Sequence, residues 1–170
     1  WDHLCFATSE DGKRFTRRIL ANGQTGVFTE GPGQNTRDPV LLITRNRWHL
    51  YYTAFPRGKG YVFCRTSPDL HDWSDSMIVA YGGRAGNHPF SCECPHVVET
   101  EPGLYHLFRT QMYGEGAQTS VYQSRNPYNF GIDDDHGFVC TLPVAAPEII
   151  LHDGQYYIAA LLPSLQGIQI

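Results

Sequence analysis

At 170 residues the chain can bury one sizeable core but not two. Charged residues are only 18%, the formal net charge is −4 and aromatics reach 13%, which excludes a nucleic-acid binder with its basic face and a disordered chain with its high charge. No apolar run approaches the ~18–20 residues needed to span a bilayer, and Trp1-Asp2-His3-Leu4 lacks the basic and apolar regions of an export leader. Neither nucleic acid nor a membrane is therefore an expected partner.

Short runs rich in Tyr, Val, Ile and Phe, bounded by Gly, Pro, Asn and Asp, recur without helical periodicity and predict an all-β protein. The first is Leu4 to Ala7. After it comes Ser9-Glu10-Asp11-Gly12-Lys13-Arg14-Phe15, a serine with a polar turn and an aromatic six residues on. A Pro-led apolar strand, Arg37-Asp38-Pro39-Val40-Leu41-Leu42, then leads to an aromatic-led one, Trp48-His49-Leu50-Tyr51. Tyr61 to Arg65 follows, and with it the serine turn again, from Ser67 to Trp73.

The same units return. Glu93-Cys94-Pro95-His96-Val97-Val98 leads to Tyr105-His106-Leu107-Phe108, and Ser120 to Gln123 precedes the turn from Ser124 to Phe130. Ala146-Pro147-Glu148-Ile149-Ile150 leads to Tyr156-Tyr157-Ile158-Ala159. Units of roughly 50 residues with four strands each are the mark of a β-propeller. The blades predicted are 1–20 (outer part), 36–83, 90–142 and 143–170 (incomplete), about three blades' worth of a larger propeller whose open edges would favour self-association.

Inner strands of a propeller line its central funnel, and here the Pro-led strands are the inner ones. Asp38 just before Pro39, Glu93 just before the Cys94-Pro95 pair and Glu148 just after Pro147 sit at what the repeat suggests are matching places. Carboxylates are rarely buried without partners, so an acidic pocket is expected. Paired carboxylates suit glycosidic bond cleavage, one protonating the leaving oxygen and the other stabilising or attacking the anomeric carbon.

These residues resemble a known family. Arg37-Asp38-Pro39 looks like the Arg-Asp-Pro motif, and Glu93-Cys94-Pro95 like the Glu-Cys-Pro motif, of the five-bladed propeller glycoside hydrolases that include invertases, levanases and other β-fructofuranosidases. Their architecture is similar to that of arabinan- and xylan-cleaving propeller hydrolases. The resemblance implies hydrolysis of a furanose-type or related glycoside without a cofactor. It makes Glu93 the general acid/base and Asp38 the transition-state stabiliser that hydrogen-bonds sugar hydroxyls. Arg37 would orient Asp38 or a hydroxyl, and Glu148, Arg109, Gln111 and Tyr113 are the further candidates for substrate contact. The family's nucleophile, an Asp on the first blade's inner strand, would lie upstream of Trp1.

Other clusters carry less. His88, Cys92, Cys94 and His96 have zinc-ligand chemistry, but ligands spaced along one extended strand do not close a tetrahedron, so no metal is expected. Strand alternation predicts Cys92, Cys94 and His96 on one face and Glu93 on the other. Cys5, Cys64, Cys92, Cys94 and Cys140 are expected as free thiols, a lean toward a cytoplasmic setting that leaves secretion open. Asp133-Asp134-Asp135-His136 lacks calcium-loop spacing and reads as a solvated loop. Trp48 and Trp73 recur as blade aromatics and are expected in the core. Two other functions fit the same pattern, a non-catalytic carbohydrate-binding propeller and a glycoside phosphorylase.

Overall fold

The computed structural model describes residues 2–170. Among the described residues fifteen strands carry the fold, joined by turns that include three single 3₁₀ turns. Two short pairs come first: β1 (Leu4–Cys5) pairs with β4 (Gly26–Phe28), and β2 (Ala7–Thr8) with β3 (Thr16–Arg17). A four-stranded antiparallel meander follows, formed by β5 (Arg37–Thr44), β6 (Arg47–Ala54), β7 (Tyr61–Ser67) and β8 (Met77–Ala80). It is repeated by β9 (Glu93–Glu101), β10 (Leu104–Met112), β11 (Gln118–Ser124) and β12 (Phe138–Leu142). A three-stranded sheet of β13 (Ala145–His152), β14 (Gln155–Leu161) and β15 (Ile168–Gln169) closes the order. The first strands of these three sheets, β5, β9 and β13, are neighbours, so the sheets stand side by side like radial blades. Among the described residues no helix is long and apolar enough to cross a membrane.

The prolines explain a feature shared by all three inner strands. Proline has no N–H for a ladder and is confined to strand starts, edges and bulges. The register of β5 on β6 jumps between Arg37 and Val40, that of β9 on β10 between Glu93 and His96, and that of β13 on β14 between Ala145 and Glu148. Each jump skips a residue and the proline after it. The skipped Asp38, Cys94 and Ala146 sit at φ 55°, 44° and 49°.

Two cores flank the β5–β8 sheet. On one side Tyr51, Val62, Cys64 and Val79 pack against Cys92, Val97, Tyr105 and Tyr122 of the next sheet. On the other, Leu50, Tyr52, Ala54 and Phe63 meet Leu4, Phe6 and Phe28 of the N-terminal strands, with Trp73 filling the gap. The period of two is visible in β6, where Leu50 and Tyr52 face one core and Tyr51 the other. Polar bonds register the sheets: Tyr51 donates its hydroxyl to Pro127 O at 3.0 Å, and the Thr44 and Tyr105 hydroxyls meet at 3.0 Å.

The serine turns are alike in detail. Ser9, Ser67 and Ser124 each accept, through Oγ, a backbone N–H two or three residues on, from Gly12, Leu70 and Asn126. The aromatic closing each turn differs in fate. Phe130 is buried and Trp73 packs against a core, whereas Phe15 on the two-stranded β2–β3 ribbon is 65% exposed.

Candidate active site

The bulges place the motif residues. Arg37 and Glu93 open β5 and β9 and pair with Thr53 and Thr110, while Asp38 projects from the bulge itself and Glu148 stands one step past its proline. The three carboxylates thus occupy three different steps of the repeated bulge, and the expectation of matching places is corrected. Ladder position, not proximity to proline, decides where each points. Backbone at positive φ costs roughly 1–3 kcal/mol per residue and persists where the surroundings impose it. It turns the Asp38 carboxylate across to the neighbouring strand.

Arg37 ties the group together. Its guanidinium donates to Glu93 Oε1, its Nε lies 3.5 Å from Asp38 Oδ2, and its Nη1 donates to Asn35 O at 3.0 Å. The backbone N–H of Cys94 donates to Asp38 Oδ2 at 3.0 Å, so Asp38 grips the peptide that follows Glu93. The Cys94 thiol lies 3.3 Å from the Tyr113 hydroxyl. Burial first, then the negative charge of Asp38, pushes that thiol up to about 11 and keeps it neutral. Burial and the thiol contact likewise push the Tyr113 phenol up.

Beside this network the three bulges enclose an open cleft of about 440 Å³, lined by Asp38, Cys94, His96 and Glu148 with Pro39 and Pro147 among its walls. Its floor is held by His96, whose Nε2 accepts the Ile149 N–H at 3.1 Å and so bolts β9 to β13. Burial lowers the tendency of His96 to protonate. A cleft at the heads of inner strands, acidic and backed by an arginine, can bind hydroxyls and move a proton.

Comparison with known proteins agrees at the level of fold. No family model matches the chain. A probable sucrose-6-phosphate hydrolase from Vibrio cholerae is 28% identical over 102 residues, covering 55% of this chain and 18% of that protein. A GH32 β-fructofuranosidase from Bombyx mori, solved in complex with sucrose, superposes with a TM-score of 0.62 at 20% identity, over 91% of this chain and 35% of that one. This chain has the β-propeller fold of glycoside hydrolases. A family 117 glycoside hydrolase from Zobellia galactanivorans shares it, with a TM-score of 0.56 at 14% identity over 78% of this chain and 50% of that one. The chain spans about a fifth of the curated relative's length.

Within the propeller, other sequence-singled residues lie elsewhere. Arg109, expected to touch substrate, is 1% exposed. Its guanidinium donates to Cys92 Sγ at 3.2 Å and to Gly82 O and packs 4.9 Å over the Tyr122 ring, so it braces the loops leading to Glu93 from behind. Gln111 bonds within its own hairpin, to Gln118 and Ser120, and lines a separate open cleft with Arg84 and Glu115. The expected common face of Cys92, Cys94 and His96 is broken by the bulge, which sends Cys92 into the core between sheets and Cys94 to the cleft. All five cysteines are free thiols. Among the described residues no three His, Cys, Asp or Glu side chains gather as a metal site would need.

The aspartate run is exposed at Asp133, Asp135 and His136, as expected of a solvated loop, and it also makes specific contacts. Asp135 Oδ1 accepts the Arg84 N–H at 2.8 Å and the Tyr122 hydroxyl at 3.1 Å, and the loop presses on Gly82 and Gly83. It is a brace between the two four-stranded sheets. Tyr128 is half-buried against the core, Trp73 likewise, and Trp48 is half-buried. Sequence reasoning considered His96 only as a metal ligand and passed over the Phe55 ring beneath Arg37, which neither stands in a motif nor repeats between blades.

Proposed function

We propose that this propeller hydrolyses a glycosidic bond, with Glu93 as general acid/base and Asp38 as stabiliser of the charge that develops on the sugar. The observation that carries this reading is the Arg37 bridge: one guanidinium holds carboxylates from adjacent inner strands, of which Asp38 lines the cleft. Glu93 gives its proton to the glycosidic oxygen as the bond to the anomeric carbon breaks. The departing sugar leaves as an alcohol, and water supplies the hydroxyl that ends on the anomeric carbon. Asp38, braced by the Cys94 N–H and Arg37, hydrogen-bonds ring hydroxyls and opposes the positive charge of the oxocarbenium-like state. Arg37 positions both acids, and Glu148, Tyr113 and His96 supply further polar contacts around the sugar. Attack on the anomeric carbon falls to a group other than Asp38 and Glu93.

The relatives point to a β-fructofuranoside as the substrate class. The test is turnover of sucrose and of sucrose 6-phosphate by the full-length protein. Glu93→Gln is expected to lower kcat by at least about 10²–10⁴-fold with the melting temperature preserved, and near-wild-type turnover would remove Glu93 from the role. Binding of sucrose without any turnover would favour the carbohydrate-binding alternative, and turnover that requires inorganic phosphate would favour the phosphorylase.

A further inference from the structure

Two rings that no motif singles out stand beside the arginine that bridges Asp38 and Glu93. Phe55 follows β6, whose Thr53 pairs with Arg37, which brings it close to that arginine. The Arg37 guanidinium carbon is 5.8 Å from the centre of that ring, within cation–π reach. Phe90, three residues before Glu93, meets Phe55 edge to face, with centroids 5.9 Å apart and planes at 74°. Phe90 remains 51% exposed.

A single exposed phenylalanine is ordinary. This one is held in place by its backbone. His88 O accepts the N–H groups of both Gly60 (3.2 Å) and Ser91 (3.0 Å), and the Phe90 N–H donates to His88 Nδ1 at 3.3 Å. A Cβ on Gly60 would come within 2.9 Å of His88 O and 3.1 Å of Pro89 O, so the β6–β7 hairpin is seated against the 88–91 loop as closely as backbone allows. That contact is what brings Phe55 and Phe90 together.

Neither ring lines the cleft that holds Asp38, Cys94, His96 and Glu148; Phe55 instead lies beside Arg37, the residue that pairs with Glu93. The acid that protonates a leaving oxygen has the glycone on one side and the leaving group on the other. A sugar ring offers a hydroxyl-bearing edge and a C–H face, and an exposed aromatic face beside hydrogen-bonding charges fits both. We infer that Phe90, backed by Phe55, forms the subsite for the sugar on the leaving side of the scissile bond. The substrate class is then a di- or oligosaccharide, recognised by a second ring, and not a glycoside of a small alcohol. This rests on the hydrolase reading above.

The test compares sucrose with methyl β-D-fructofuranoside, which share a glycone and differ in the leaving group, using the full-length protein. Phe90→Ala is expected to lower the ratio of kcat/KM for sucrose to that for the methyl glycoside by roughly tenfold, mainly through KM, and Phe90→Trp to restore it. The melting temperature should hold, because the ring is half exposed. An unchanged ratio in Phe90→Ala overturns the subsite. If Glu93→Gln still abolishes turnover of both glycosides in that case, the hydrolase reading stands without it. Wild-type protein that turns over neither glycoside removes both.

Discussion

The strands β6 and β14 carry nearly the same sequence signal and meet opposite surroundings. Each is the second strand of its sheet and holds a Tyr-Tyr pair. Tyr51 and Tyr52 are both 0% exposed, while Tyr156 and Tyr157 are 44% and 40% exposed. In β6 the neighbouring sheet covers one face and the N-terminal strands the other. The β13–β15 sheet leaves Ile150, Leu151 and Ile158 open together with its tyrosines. An aromatic-rich run therefore specifies a strand, and the layers packed against it specify what its side chains are worth.

The largest effect that could break this comparison is on the paired tyrosines themselves. Tyr51→Ala removes a ring from a closed core and a hydroxyl bonded to Pro127 O, and should cost about 3–5 kcal/mol in denaturant unfolding. In the 170-residue chain itself, Tyr157→Ala should cost less than about 1.5 kcal/mol, and equal losses there would show that the two strands are not differently supported. The glycines sharpen the same contrast. Gly82 and Gly154 share positive φ, 67° and 75°. A Cβ on Gly82 would lie 2.2 Å from Asp133 Oδ1, whereas Gly154 has nothing within 4 Å. Gly82→Ala should destabilise by roughly 2–4 kcal/mol, combining backbone strain with displacement of the aspartate brace, and Gly154→Ala by about 1 kcal/mol from φ alone.

A smaller, pH-dependent effect follows from the buried imidazoles. Burial lowers the tendency of His49 and His96 to take up a proton, and His49 Nε2 also meets the Tyr128 hydroxyl at 3.0 Å. The unfolded chain protonates near the ordinary value of ~6.5, so below that pH it binds more protons than the folded chain. Stability should fall as pH is lowered from about 6.5 through the depressed folded values, then level off. His49→Gln should flatten part of that slope in thermal melts taken across this range. A slope unchanged in that variant would mean that His49 titrates alike in the folded and unfolded chain.

The chain's own residues determined the strands, the serine turns and the Pro-led bulges, because each is a local property. Alternating apolar residues make a pleated face, a serine oxygen caps the next N–H groups, and a proline cannot enter a ladder. They also carried the Arg-Asp-Pro and Glu-Cys-Pro motifs, whose Asp38 and Glu93 are joined by Arg37. Only tertiary structure decided that Glu93 aligns with Arg37 and not with Asp38, that Arg109 is buried, that the 133–136 run braces two sheets, and that Phe55 and Phe90 meet beside Arg37. These depend on which residues a bulge skips and on which loop reaches across to a neighbouring sheet. Contacts between residues tens of positions apart leave no periodicity in the chain. They arise when the sheets pack, and there the same arginine or aspartate becomes a ligand contact or a structural brace.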